Sequence, residues 1–106
     1  LFYSELDKNR DAISFAASCA DIENNRKAGK LSAMLSIEEG AALNGSIANL
    51  RNFYRLGVRL ITLLWNYENE LGYPNFKFEH QDKGLKSFGF EVVEEMNRLG
   101  MLIDVS

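Results

Sequence analysis

Residues 46–65 have the sequence SIANLRNFYRLGVRLITLLW, which contains a helix, a glycine and an apolar strand in that order. Four large side chains fall on one face of the predicted helix, spaced as i, i+3, i+6 and i+7: Ile47, Leu50, Phe53 and Tyr54. Gly57 ends the helix, and the residues from Val58 to Trp65 are predicted to form a buried strand. A helix-glycine-strand unit of this kind is typical of a parallel α/β fold.

The same order of elements precedes this unit. Ser18 is placed to cap a helix over residues 20–28, and Gly29 closes that helix. The next predicted strand covers residues 31–37, a short apolar run between two glycines. Apolar residues spaced among charged ones predict a further helix over residues 2–17.

The order also recurs after the unit. A polar loop over residues 66–86 leads to an amphipathic helix over residues 88–99. Gly100 ends that helix and precedes a third apolar strand over residues 101–105. The complete order, α-α-β-α-β-α-β, predicts right-handed βαβ units and a parallel sheet, so the predicted fold class is α/β.

The composition is that of an ordinary soluble domain. Of the 106 residues, 46% are hydrophobic and 25% are charged, which allows one small domain. The net charge of −3 gives no reason to expect a nucleic-acid partner, and the densest basic group (Arg51, Arg55 and Arg59) is interpreted as a solvated face. No apolar run approaches the ~20 residues of a membrane span, and no signal-peptide pattern opens the chain, so we expect a cytoplasmic protein.

The single cysteine, Cys19, leaves no partner for an intrachain disulfide. Its neighbours Ala17, Ala20 and Ile22 favour a small buried thiol. A catalytic thiol would need a histidine partner, and the one histidine, His80, lies far along the chain in a polar segment.

Three groups of residues occupy the carboxyl ends of the predicted strands. They are Glu38 with Glu39, Trp65 with Asn66, and Asp104 with Ser106. Ligand sites in parallel α/β proteins lie at this edge of the sheet, because all the strands end there. From the residues alone, three roles stay open for Glu38: metal ligand, general base, or N-cap of the next helix.

Four segments together resemble the membrane dipeptidase, or renal dipeptidase, family of zinc peptidases. Residues 33–40, AMLSIEEG, resemble a family strand that ends in an apolar-Glu-x-Gly signature. Residues 46–62 resemble a helix-strand segment typically written L-x-x-L-Y-x-L-G-V-R-x-x-T-L-T, and residues 65–72, WNYENELG, resemble a substrate-side loop. Residues 84–106, GLKSFGFEVVEEMNRLGMLIDVS, are similar to the family's G-L-T-x-F-G-x-x-V-V-x-x-M-N-R-L-G-M-x-I-D-x-S-H. The resemblance implies that residues 1–106 form one partial (β/α)8 TIM-barrel domain, a parallel βαβαβ segment truncated at both ends.

The resemblance also implies roles for five residues. Glu38 matches the glutamate that holds two zinc ions together in the family. Trp65 stands where many members have a histidine that contacts the substrate, and Asn66 and Asn69 match substrate-side positions of the same loop. Asp104 matches the aspartate of the I-D-x-S-H run, and we expect it to support the site without touching metal or substrate itself.

The other metal ligands of the family would lie outside these residues, before Leu1 and after Ser106. Because one carboxylate cannot build a dinuclear site, we expect a fragment of a di-zinc enzyme that hydrolyses dipeptides, inactive by itself. Three strands leave open sheet edges, so we also expect association with other copies or with the rest of the barrel. Two alternatives stay open: a non-catalytic interaction module, and a small phosphate-binding α/β domain.

Overall fold

The computed structural model describes residues 1–106, which form two compact units, Leu1–Met34 and Leu35–Ser106. Each unit contains parallel strands joined by helices, as the sequence predicts. No helix in either unit has both the length and the apolar character that a membrane crossing requires.

The first unit has two helices and two strands: α1 (Phe2–Lys8), β1 (Ile13–Phe15), α2 (Cys19–Lys27) and β2 (Leu31–Ala33). The strands pair in parallel, with Ile13 opposite Leu31. Ser18 caps α2 as predicted, because its hydroxyl accepts a hydrogen bond from the backbone N–H of Asp21 at 3.2 Å.

The prediction of one helix over residues 2–17 is wrong, because α1 ends at Lys8. Asn9 terminates it, and its side-chain amide donates a hydrogen bond to the carbonyl oxygen of Glu5 at 2.9 Å. The chain then forms β1, and Phe15 packs edge-on against Phe2 and Tyr3. The apolar spacing therefore comes from a short helix and a strand that pack on each other.

Two more predictions for the first part of the chain are wrong. Cys19 is exposed rather than buried, since it begins α2, a helix with no buried residue. The predicted strand over residues 31–37 is two strands separated at Met34, and its first residue, Leu31, is 71% exposed.

The second unit has three strands and two longer helices: β3 (Leu35–Ile37), α3 (Ile47–Arg55), β4 (Val58–Thr62), α4 (Ser87–Leu99) and β5 (Leu102–Asp104). Short 3₁₀ helices cover Gly40–Leu43 and Phe78–His80. The strand order is β3-β4-β5, and both pairs are parallel. This is the predicted βαβαβ arrangement, except that β4 ends at Thr62 and leaves Trp65 in the loop that follows.

An apolar core lies between these helices and the sheet. Leu50 of α3, Ile61 of β4, and Val92 and Met96 of α4 are each 0% exposed. Complete burial of one such side chain contributes about 1.5–3 kcal/mol. Gly100 ends α4 at φ 71°, a left-handed conformation that glycine adopts without steric cost.

Charged residues also connect the two helices. Glu95 belongs to the polar face predicted for α4, but it is only 8% exposed and accepts hydrogen bonds from Arg51 of α3 and from Arg98. Within the basic group interpreted as a solvated face, Arg51 is therefore ion-paired, and the Arg59 guanidinium lies 3.9 Å from the ring centroid of Tyr54. The Arg51–Glu95 pair joins two helices that are far apart in sequence, whereas Arg98 pairs with Glu95 within α4 and Arg59 contacts Tyr54 five residues away.

Candidate functional site

The carboxyl ends of β3, β4 and β5 form one edge of the sheet. The last row shared by all three strands consists of isoleucines: Ile37, Ile61 and Ile103. The next residues along the chain are Glu38, Thr62 and Asp104, and Thr62 is paired with Asp104. Since neighbouring strands lie about 4.8 Å apart, the two outer strands of this edge end about 10 Å from each other.

Asp104 is held at this edge by three hydrogen bonds. Thr62 Oγ1 donates to Asp104 Oδ2 at 2.6 Å, and the backbone N–H and hydroxyl of Ser106 donate at 3.0 and 2.8 Å. These bonds, that of Thr62 above all, lower the pKa of Asp104 because they stabilise its charged form. Asp104 thus ties β4 to β5 and fixes the chain as it leaves β5. Thr62 is not among the site residues predicted from the sequence, and the signal that points to it is a lone hydroxyl at the end of an apolar strand.

Glu38 lies in a bend directly after β3, and its side chain is exposed. Glu39 is half-buried and accepts a hydrogen bond from the side-chain amide of Asn69 at 3.3 Å. The next residue, Gly40, is buried, and a Cβ there would lie 2.7 Å from the carbonyl oxygen of Leu63. This close approach fixes the backbone that carries the two carboxylates.

Asn69 organises the loop after β4. It is 8% exposed, its amide donates a hydrogen bond to the carbonyl oxygen of Leu63 at 3.1 Å, and its side-chain oxygen accepts one from the backbone N–H of Leu71 at 2.8 Å. At Leu63 the backbone N–H still donates to Asp104 of β5 at 3.1 Å, while the carbonyl oxygen accepts from Asn69 of the loop. A substrate contact by Asn69 stays a prediction; its bonds here are with its own loop and with Glu39.

Trp65 and Asn66 line a cleft of about 400 Å³ at the carboxyl ends of β4 and β5. The other lining residues come from the loop and from the end of β5: Leu64, Tyr73, Asn75, Phe76, Val105 and Ser106. The Trp65 side chain is 54% exposed, and its ring packs edge-on against Tyr67 with the centroids 6.1 Å apart. The cleft brings together two of the five predicted site residues; Glu38, Asn69 and Asp104 do not line it.

The side chains of this chain that could bind a metal do not form a cluster. No three His, Cys, Asp or Glu side chains lie close enough together to hold a metal ion. Glu38 fits the role of a single ligand, because its carboxylate is exposed at a strand end. The described residues therefore contain no complete set of metal ligands, and a metal contact by Glu38 stays a prediction.

Known proteins with similar sequences are peptidases. The family model described as membrane dipeptidase (peptidase family M19) matches residues 1–106. Dipeptidase 3 of Mus musculus is 46% identical over 91 residues, which cover 82% of this chain and 18% of that protein. The chain spans about a fifth of the length of the curated relatives that it matches.

Solved structures share the arrangement of helices and strands. An amidohydrolase from Pseudomonas aeruginosa has a TM-score of 0.85 and 29% identity, over 95% of this chain and 30% of that one. A metallo peptidase from Rhodobacter sphaeroides, liganded with a phosphinate mimic of the dipeptide L-Ala-D-Ala, has a TM-score of 0.81 and 24% identity, over 92% of this chain and 29% of that one. These neighbours are TIM-barrel-type proteins, so the predicted fold class, a parallel βαβαβ segment of a (β/α)8 barrel, is confirmed.

Proposed function

The chain belongs to the membrane dipeptidase family (peptidase family M19), and from that membership we propose that it forms part of an enzyme that hydrolyses dipeptides with two zinc ions. The observation that carries the proposal is the position of Glu38, an exposed carboxylate at the carboxyl end of β3. Active sites of (β/α)8 barrels lie at this end of the strands. The metallopeptidases that this chain resembles support a metal-dependent reaction, and zinc as the metal is part of our proposal.

Glu38 is the residue of this chain that we assign to the metal ions. Glu38 would hold the cations through its carboxylate, and the close packing of Gly40 fixes the backbone beside it. The chemistry that bound zinc supplies is polarisation of the peptide carbonyl and acidification of water. The remaining ligands would come from residues beyond the 106 described, so we propose that this chain by itself hydrolyses no dipeptide.

The other predicted residues act on the substrate or on the shape of the site. Trp65 and Asn66 bind and orient the dipeptide from the cleft that they line. Asn69 keeps the loop folded and holds Glu39 in place. Asp104 orients Ser106 at the same edge, because its carboxylate accepts hydrogen bonds from the backbone N–H and hydroxyl of Ser106.

The test is a Glu38→Gln replacement in the longest natural protein that contains these residues. Glutamine keeps the size of the side chain but removes the negative charge that binds a cation, so bound zinc and zinc-dependent hydrolysis should both fall sharply. Glu91→Gln, which changes an exposed carboxylate on α4, is the matched control and should keep both. If Glu38→Gln hydrolysed dipeptides at the wild-type rate, Glu38 would not be a metal ligand of the active site.

A second candidate function is a non-catalytic interaction module that associates through its sheet. Two observations favour it: β3 and β5 are edge strands, and Leu102 and Val105 are 56% and 83% exposed. Such a module should sediment as a dimer or larger species, and Leu102→Lys should shift it toward the monomer. A monomeric, fully folded wild-type chain would count against this candidate.

A further inference from the structure

The cleft beside Trp65 contains aromatic rings and no charged side chain. Trp65, Tyr73 and Phe76 contribute rings, and Asn66 and Asn75 contribute amides. A charged ligand group entering the cleft would lose hydration and meet no opposite charge in the lining, since the Lys83 and Lys86 ammonium groups lie beside the Tyr73 ring and do not line the cleft. An uncharged group with a large apolar surface fits this lining much better.

The dimensions of the cleft suit a small ligand. Its volume of about 400 Å³ lies at the lower end of the range of about 300–1,000 Å³ that is typical of small-molecule sites. The cleft lies at the carboxyl ends of β4 and β5, where Thr62 and Asp104 meet. A dipeptide whose side chain occupies the cleft would therefore have its backbone at the carboxyl ends of β4 and β5.

Two of the rings are held in place by contacts outside the cleft. The Trp65 and Tyr67 rings pack in an edge-to-face arrangement at an interplanar angle of 74°. The Lys83 and Lys86 ammonium groups each lie 4.8 Å from the ring centroid of Tyr73. These contacts restrict the rings before a ligand arrives, which lowers the entropy cost of stacking against them.

We propose that this cleft binds a large uncharged side chain of the dipeptide substrate, with preference for an aromatic one, and that Trp65 is its stacking surface. The proposal rests on the proposed function, because it takes a dipeptide as the ligand. It goes beyond that function by naming the side chain that the enzyme selects. Stacking of an aromatic ligand side chain on the Trp65 ring should raise the affinity about threefold to tenfold over an aliphatic side chain of equal contact area.

The chain provides its own probe, since Trp65 is its only tryptophan. Titration of the 106-residue chain with glycylphenylalanine should shift the Trp65 emission saturably. Glycylglycine and glycylglutamate should shift it at concentrations about tenfold higher or not at all. Equal responses to all three dipeptides would overturn the proposal.

Variants of Phe76 locate the binding. Phe76→Ala and Phe76→Leu should weaken glycylphenylalanine binding by about threefold to tenfold, and Leu keeps an apolar side chain if Ala disturbs the loop. Phe90→Ala removes a ring that is 64% exposed on α4, outside the cleft, and should leave binding unchanged. Equal weakening by Phe76→Leu and Phe90→Ala would show that the cleft is not the site.

Hydrolysis separates this proposal from the proposed function. In the longest natural protein containing the chain, kcat/KM should be higher for glycylphenylalanine than for glycylglycine. Trp65→His should reduce this ratio about threefold to tenfold, and Trp65→Phe should largely preserve it. Hydrolysis of neither dipeptide would refute the proposed function, whereas equal hydrolysis of both would refute only the selection by the cleft.

Discussion

Arg51 Nε of α3 donates a hydrogen bond to Glu95 Oε1 of α4 at 2.6 Å, and this pair joins the two helices that cover the sheet. Arg98 Nε and Nη2 donate to the same carboxylate at 2.7 and 2.6 Å. The hydrogen bonds from Arg98 and Arg51 lower the pKa of Glu95 to about 2. A nearly buried carboxylate with this pKa makes the stability of the helix pair dependent on pH.

Glu95→Gln should therefore lower the free energy of unfolding most at neutral pH. The pKa of Glu95 is lower in the folded chain than its ordinary value of 4.5, so its charge stabilises the fold above pH 4.5. That contribution is lost as the pH falls through about 2, and below this value wild type and variant should become equally stable. Urea denaturation of both proteins across this pH range measures the difference.

Glu94→Gln is the control for this prediction, because Glu94 is an exposed carboxylate on the same helix. It should leave the pH profile of stability as in wild type. A destabilisation by Glu95→Gln that is constant from neutral to acidic pH would show that the ionised carboxylate is not the cause.

Thr62→Val should raise the pKa of Asp104. The valine side chain has nearly the same shape as threonine but cannot donate the 2.6 Å hydrogen bond that favours the charged carboxylate. A ¹³C NMR titration of the Asp104 carboxyl group measures this directly. Thr62→Ser retains the hydroxyl and should keep the lower pKa; the same pKa in all three proteins would mean that Thr62 is not its main cause.

The fold was predictable where its signals are local. The apolar spacing of residues 46–56 and the glycines at the helix ends specify α3, α4 and the strands after them. Gly57 and Gly100 have φ angles of 103° and 71°, which L-residues with side chains rarely adopt. A glycine that follows a helical pattern therefore predicts the end of the helix from the local sequence alone, without knowledge of the fold.

The contacts at the site and between α3 and α4 were less predictable, because they join residues that are distant in sequence. The hydrogen-bonded residues Arg51 and Glu95 are 44 positions apart, and Glu39 and Asn69 are 30 positions apart. No local sequence pattern predicts either pair. Composition places Glu95 on a polar face and Asn69 in a polar loop, yet each is 8% exposed. The prediction of one helix over residues 2–17 was wrong for the same reason, because the contact between Phe15 of β1 and Phe2 of α1 has no local signal.

Gly89→Ala should destabilise the second unit although alanine is the better helix former. A Cβ at Gly89 would clash with the backbone carbonyl oxygen of Leu71, which also accepts a hydrogen bond from the Lys86 N–H at 2.8 Å. Alanine gains about 1 kcal/mol of helix propensity. The clash with fixed backbone outweighs this gain, and we expect a net loss of about 1–3 kcal/mol in the free energy of unfolding.

The control for Gly89 is Gly84→Ala, since a Cβ at Gly84 has no atom within 4 Å. Urea denaturation should place this variant within about 0.5 kcal/mol of wild type. If Gly89→Ala were as stable as Gly84→Ala, the close contact between α4 and the loop at Leu71 would be refuted.

Asn69→Ala should destabilise the chain through its backbone partners. The replacement leaves the Leu63 carbonyl and the Leu71 N–H without the bonds of 3.1 and 2.8 Å that Asn69 makes with them. Loss of partners for buried groups costs about 1–3 kcal/mol, measured by urea denaturation. Asn75→Ala, an exposed asparagine of the same loop, should have little effect.

Asn69→Asp tests the same network with almost unchanged volume. The aspartate can still accept the hydrogen bond from Leu71, but it places a second carboxylate next to Glu39, where the amide now donates at 3.3 Å. Like charges at this separation repel, so urea denaturation at neutral pH should show the variant to be less stable than wild type. If Asn69→Ala and Asn69→Asp both kept wild-type stability but lost dipeptide binding, Asn69 would be a substrate contact and not the residue that holds the loop together.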